Sequence, residues 1–425
     1  MAAASPRILL ISNVERGQCN VFLATARAIL HADPNVDLHF ASFPALEAEI
    51  QSISDDAKRT NASTKPISWH SIAGQTHGEA VSAAIAKLYP GEDEEKTLFK
   101  TPNLARPLST LMSGISFPIP WHRVPLNIFF YFYTLRTIAT DRGLRGVLQH
   151  VTKALGRPAR TVRDVINSKG PGTPTVFVNT LPELDFPWLP CPPHVIASGP
   201  IVRRVQPISE ADPELADWLS GSPTIFINLG THTKLTEAKA AEFATALNMS
   251  LNTMDDRHPS SRPLQILWKL QKAGEYDATA SGSRIYSILK DKIESNRMRI
   301  TSWLTAEPLA ILQTGNIACF IHHGGANSYN EAVLNGVPHV VLPSWTDCYE
   351  YAQRVEYHGI GRIGARKQVP QVEASELSRE LLTVLDGEET KSIKRKAQEL
   401  AAICKEKGDG ADAVAYKMLE LAKKS

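Results

Sequence analysis

The stretch ACFIHHGGANSYNEAVLNGVPHVVLPSWTD, from Ala318 to Asp347, decides how the chain is read. Its apolar opening, Ala318 to His322, predicts a buried strand, and a second follows at His339 to Leu342. Between them Gly324 and Gly325 mark a turn into a helix expected to begin near Asn327 or Ser328. Such a turn makes an anion site. Small residues let a diphosphate approach the backbone, Asn and Ser cap the helix, and unpaired N–H groups face the ligand at the positive end of the helix dipole. His323 can donate to a phosphate oxygen, and Glu331, about one turn into the helix, can accept from two vicinal ribose hydroxyls. A Gly-Gly turn alone would be an ordinary capped turn. The ordered set of His323, Asn327, Ser328, Glu331, Gly336-Val337-Pro338 and Asp347 points instead to ligand binding.

Upstream, β-branched runs at Thr224 to Leu229, Leu264 to Lys269 and Arg299 to Ser302 alternate with helical segments, which predicts a doubly wound half on a parallel sheet. The rhythm occurs earlier too. Strands are expected at Ile8 to Ser12, Val36 to Ala41, Ile67 to His70, Thr175 to Asn179 and His194 to Ser198, with helices at Val21 to Leu30 and Glu79 to Leu88. Between Leu88 and Thr175 the alternation fails, because a Pro-broken loop, Ser113 to Asn127, precedes amphipathic helix without a buried strand. The first sheet should therefore be the smaller. Gly199 to Pro213 reads as a linker, and from Ala374 the chain reads as helix rich in Ala, Leu, Lys and Glu. The α/β chain divides into a Rossmann-like domain at 1–205, a second at 206–395, and helices packing back at 396–425.

Composition narrows the partner. With 43% hydrophobic and 21% charged residues among 425, the chain is neither disordered nor fibrous. Forty-six Lys and Arg against 44 Asp and Glu give +2, no summed field to recruit nucleic acid or an anionic membrane. A small ligand is the expectation. The five cysteines are scattered without metal-ligand spacing, which argues against a disulfide framework or a zinc site and for a reducing, cytoplasmic setting. No secretory signal is read at the N-terminus, and the longest apolar run, Leu126 to Leu135, is about half a bilayer span, so a soluble chain without a transmembrane segment is expected. The aromatic run Phe129 to Tyr133 reads first as core of a helix and second as lining of a pocket for a flat or terpenoid molecule.

The run from His322 to Asp347 resembles the donor signature of the family 1 UDP-glycosyltransferases, whose GT-B fold sets two Rossmann-like domains face to face. The resemblance implies that His323 binds the diphosphate, that Gly325, Asn327 and Ser328 approach the phosphates, that Glu331 holds the ribose and that Asp347 grips sugar hydroxyls. Trp303 looks like the tryptophan that stacks on uracil, although two extra residues separate it from His323 compared with the plant pattern; it is otherwise a core aromatic at a strand end. Gly230-Thr231-His232 resembles the turn that touches the terminal phosphate, with a helix cap and a surface residue as the plainer readings of Thr231 and His232. Cys348 stands where the family usually has Gln, which leaves the sugar open. The first half is similar in the fungal style, through Phe40 to Ala45, Trp69 to Gly74, Ser113 to Trp121, Asn179-Thr180 and Gly199-Pro200-Ile201.

The departure from the family is at the base. Inverting transfer needs a group to take the acceptor proton, usually His steadied by Asp. Here the first loop reads Glu15-Arg16-Gly17-Gln18-Cys19-Asn20, with Gln18 at the His position, and Gln takes up no proton near pH 7. Between Leu88 and Thr140 the only aspartate is Asp93, in an acidic run that reads as a solvated loop, as though one βα unit were missing. The expectation is a UDP-sugar-dependent glycosyltransferase-like protein of secondary metabolism acting on a small hydrophobic acceptor, with the UDP-sugar as co-substrate and neither cofactor nor metal. His232, His122 and His77 are the substitute bases to test, His232 entering the catalytic set beside Gln18. The alternatives are a scaffold repurposed as a non-glycosyl cyclase or isomerase, and a catalytically inactive UDP-sugar binder.

Overall fold

The computed structural model describes residues 5–80, 117–187, 191–231, 233–259, 261–344, 346–367 and 371–424. The chain opens with β1 (Arg7–Ile11), α1 (Arg16–Ala32), β2 (Asp37–Ser42), α2 (Glu47–Thr60) and β3 (Ser68–Ser71), a parallel sheet in the order β1-β2-β3. Helices α3 (Val124–Thr140), α4 (Arg142–Leu155) and α5 (Val162–Ile166) follow, then the parallel pair β4 (Val176–Val178) and β5 (Val195–Ala197). Short helices α6 (Ile208–Ala211) and α7 (Pro213–Gly221) lead into the second half.

That half contains β6 (Thr224–Asn228), α8 (Glu237–Arg257), β7 (Gln265–Lys269), α9 (Arg284–Glu294), β8 (Met298–Thr301), α10 (Pro308–Leu312), β9 (Ile317–His322), α11 (Ala326–Leu334), β10 (His339–Val341), α12 (Thr346–Tyr357) and β11 (Gly361–Ile363). Helices α13 (Ala374–Asp386), α14 (Thr390–Lys407) and α15 (Gly410–Lys424) close the chain. Every residue of β6 and β7 is buried, as expected for central parallel strands covered on both faces. The sheet order is β11-β10-β9-β6-β7-β8: the chain enters at the centre, winds outward through β7 and β8, and crosses back to β9. Between β6 and β9 the winding reverses, and that is where an open α/β sheet leaves a crevice.

One core covers each face of this sheet. Phe243 of α8 stacks on Trp268 at 5.1 Å and joins Leu289, Leu377 and Leu381, while Phe226 and Phe320 stack at 4.9 Å beneath Leu219 and Ile311. Helix α15 reaches back to the first domain, where Ala411, Val414, Ala415 and Leu419 pack with Leu23, Ile29 and Leu30 of α1.

Several expectations need correction. The stretch 199–213 is no free linker, since Ile201 and Ile208 are buried and α6 lies within it. The Pro-broken loop ends at Val124 rather than Asn127, because a Pro at the first turn of a helix loses no hydrogen bond. The aromatic run of α3 is not core: no residue of that helix is buried. Strand β11 was missed because three residues carry too little periodicity. Thr76 caps a helix opening at His77, its hydroxyl accepting from the Glu79 N–H at 3.2 Å; the continuation to Leu88, the expected missing unit and Asp93 lie outside the described residues.

Because Leu419 is almost fully buried between α15 and the first domain, Leu419→Ala should lower unfolding free energy by about 2–3 kcal/mol, measured by urea denaturation; an unchanged midpoint would mean that α15 does not hold that domain together.

Candidate functional site

Strands β6 and β9 run side by side with Asn228 opposite His322, so the loops leaving them start together while their helices pack on opposite faces. His323 stands in the opening. Its ring fills the space beside two glycines: a Cβ on Gly230 would lie 2.9 Å from the ring Cε1, and one on Gly325 2.5 Å from Nε2. Gly230 also holds φ +80, a conformation costly for any other residue, and its N–H donates to Asn228 Oδ1 at 3.1 Å. Only glycine fits at either position while the imidazole stays where it is.

Behind His323 is a buried pair. The Gly324 N–H donates to His322 Nδ1 at 3.1 Å, so His322 carries its proton on Nε2 and donates it to His339 Nδ1 at 3.0 Å. Burial pushes His322 well below the usual histidine range and His339 to about 3. Two neutral rings therefore floor the glycine turn and fix its direction.

The N-cap of α11 is Gly325, with no side-chain cap, and not Asn327 or Ser328, which are the second and third residues of its first turn. From inside the helix, Asn327 Nδ2 donates to the Arg16 carbonyl at 3.4 Å, across to the first domain. Two further residues of α11 make the same crossing: Tyr329 Oη donates to the Leu184 carbonyl at 3.0 Å and Asn330 Nδ2 to that of Asn179 at 3.5 Å. Arg354 of α12 adds an ion pair to Asp185 at 2.8 Å. The helix whose start is the expected anion site thus also reaches across to the first domain.

Glu331 is half-buried on α11. Desolvation, with a smaller contribution from the Glu307 charge, raises its carboxyl to about 8, so it is protonated at neutral pH. Trp303, 69% exposed, stands just past β8 with Lys269 Nζ 4.9 Å from its ring centre. Desolvation lowers the Lys269 pKa, and Glu307 opposes that shift. Glu307, the N-cap of α10, therefore acts on both Lys269 and Glu331. No motif names Glu307 or Lys269, and only the end-of-strand position of Lys269 could have hinted at them.

Asp347 is exposed in the first turn of α12, and Cys348 beside it is fully buried against Gly324, which brings this turn next to the glycine loop. Thr231 is exposed beside Gly230, and Thr233 Oγ1 donates to Ser344 Oγ at 3.4 Å, tying the β6 loop to the β10 loop. His232 lies outside the described residues.

Across the cleft, Gln18 is exposed on the first turn of α1, and its Oε1 accepts from Asn13 Nδ2. Arg16, two residues before it, is the residue that Asn327 reaches. Gly78 lies against the Glu15 carboxylate, which brings the His77 turn to the Gln18 loop. His122 is placed elsewhere, edge-on to Trp121 at the start of α3. The structure therefore gathers Thr231, His323, Gly325, Asn327, Ser328 and Asp347 around one crevice with Gln18 facing it, and sets Trp303 and Glu331 beside the Lys269–Glu307 pair.

Residues 293–407 match the family model of the erythromycin biosynthesis protein CIII-like C-terminal domain. The glycosyltransferase sdnJ of Sordaria araneosa is 29% identical over 476 aligned positions, covering 92% of this chain and 89% of that protein. Among solved structures, a UDP-glucosyltransferase from Polygonum tinctorium superposes with a TM-score of 0.59 at 16% identity over 100% of both chains. The glycotransferase of kitacinnamycin gives 0.60 at 14% identity, over 98% of this chain and 99% of that one. The fold is GT-B, two Rossmann-like domains facing across a cleft. Within that class, the chain is a glycosyltransferase-like protein similar to the family 1 UDP-glycosyltransferases.

The Glu331 shift sets a pH dependence. A carboxyl raised from its ordinary value to about 8 contributes stability that is present below the ordinary value and lost as pH rises through 8. Wild type should lose more Tm between pH 5 and 9 than Glu331→Gln, whose amide does not ionise; parallel Tm curves would show that Glu331 ionises normally.

Proposed function

We propose that the chain binds a UDP-sugar at the start of α11 and transfers the sugar to a small hydrophobic metabolite, with neither metal nor cofactor taking part. The observation that carries this reading is the His323 ring held between Gly230 and Gly325 at the mouth of an uncapped helix. A diphosphate there meets backbone N–H groups, the helix dipole and an imidazole donor together. Asn327 and Ser328 add polar contacts, and Thr231 reaches the terminal phosphate from the other loop. Glu331 accepts from the ribose hydroxyls without repelling the diphosphate, because at neutral pH it is uncharged. Trp303, propped by Lys269, offers a face to the base. Asp347 and the turn around it face the sugar.

The acceptor side follows a different rule from the usual one. Gln18 and its partner Asn13 are both amides, and neither takes a proton. Transfer at this site then suits an acceptor that is acidic or strongly nucleophilic without help, such as a phenol, thiol or amine, so that holding it in line does most of the work. His77, brought to the Gln18 loop through Gly78, and His232 are the two histidines to test as substitutes. The Asn13–Gln18 pairing also favours a second reading, in which the cleft binds a UDP-sugar without turning it over, or orients a metabolite for cyclisation or isomerisation.

Calorimetric titration with UDP and UDP-glucose tests the donor half. His323→Ala and Glu331→Ala should each weaken UDP binding by about 1.5 kcal/mol, roughly tenfold, the loss expected for a buried hydrogen-bonding partner. Unchanged affinity in both would remove the donor assignment. Binding with sugar release on adding acceptor supports transfer; binding without turnover supports the inactive form; no nucleotide binding supports the repurposed cleft. Gln18→His alone should not create efficient transfer to alcohols, since among the described residues the partner of Gln18 is the amide of Asn13 and not an orienting carboxylate. A large gain in that assay would show that such a partner exists.

A further inference from the structure

Residues 117–166 leave the fold and return to it without burying a side chain. The excursion is pinned at both ends. Phe117 packs on Phe186 and Tyr357, with ring centroids 5.1 and 5.4 Å apart, and the Val165 carbonyl meets His194 Nε2 at 3.3 Å. What lies between has two characters. Helix α3 is apolar on most sides, and Ile128, Phe129, Tyr131 and Phe132 are 51%, 60%, 51% and 64% exposed, with Trp121 at 85% just before them. Helix α4 is amphipathic: Leu144, Val147, Leu148, Val151 and Leu155 fall on one stripe, with Arg142, Arg145 and Lys153 on the opposite side.

The charge is as uneven as the hydrophobicity. Residues 117–166 hold eight Lys and Arg against two Asp, a local charge of +6; since the whole chain carries +2, the remainder carries −4. The near-neutral total that argued against an anionic surface is therefore an average over two unlike parts. Pairing of the patch with the same patch on a second copy of this chain is disfavoured, because it would set +6 against +6.

A strongly basic amphipathic helix beside an exposed aromatic one matches the chemistry of the membrane–water boundary. Trp, Phe and Leu enter the headgroup layer while Lys and Arg meet lipid phosphates. No helix among the described residues is long and apolar enough to cross a membrane, so such an element lies on the surface rather than spanning it. We propose that α3 and α4 dock this protein on an anionic lipid surface, with Phe129 and Phe132 inserted and Arg142, Arg145 and Lys153 held against the headgroups. The proposal uses no residue of the nucleotide site.

Co-sedimentation of the full chain with vesicles tests it. The bound fraction should be at least about tenfold higher on phosphatidylcholine mixed with phosphatidylserine than on phosphatidylcholine alone, and should fall as salt is raised. The double variant Phe129→Ser, Phe132→Ser and the triple variant Arg142→Glu, Arg145→Glu, Lys153→Glu should each lose binding about tenfold while keeping the parental Tm, since all five side chains are exposed. Four outcomes overturn the proposal: no sedimentation with either vesicle; equal sedimentation with both; undiminished binding by the triple variant; or a concentration-dependent dimer, abolished by the double variant, without vesicle binding.

Discussion

An imidazole wedged between two glycines is the constraint on which the second domain's opening depends. The His323 ring leaves no volume for a Cβ at Gly230 or Gly325, so the loop after β6 and the turn after β9 pack closely on one side chain. Their closeness follows from sheet order, since β6 and β9 are neighbours only because the chain doubles back after β8. The neutral His322–His339 pair below adds direction without charge: its hydrogen bonds run from Gly324 inward, beneath the positive end of the helix dipole.

The same helix carries a second duty. Asn327, Tyr329 and Asn330 hold α11 against the first domain, so a ligand at its start sits directly beside the contacts that set the cleft. Gln18 is brought to face the site through Arg16, and α15 fastens that first domain from behind. The glycine turn and the inter-domain contacts therefore share one helix, and the pairing of Gln18 with Asn13 makes the facing wall a polar surface of amides.

Where sequence reading succeeded, the signal was local. Buried parallel strands announce themselves as β-branched runs, and the strands from Thr224 to Leu342 fall within a residue or two of their expected bounds. Where it failed, a partner elsewhere in space decided. Asn327 looks like a cap but lies inside the helix and reaches across to Arg16; Ile208 looks like linker but is buried under α7; the aromatic run of α3 looks like core but faces outward. The near-zero net charge concealed a basic segment because composition has no coordinates.

The sequence by itself determined the two-domain α/β architecture, the glycine turn after β9 and the presence of an amide, Gln18, in the first loop, because these rest on periodicity and residue chemistry at consecutive positions. Tertiary structure alone decided that Gly230 and Gly325 share one ring, that burial, with a smaller contribution from Glu307, raises the Glu331 carboxyl, and that α11 bridges the domains. Each of those depends on which side chains, distant along the chain, compete for the same small volume and the same hydrogen bonds, a quantity that no local pattern encodes.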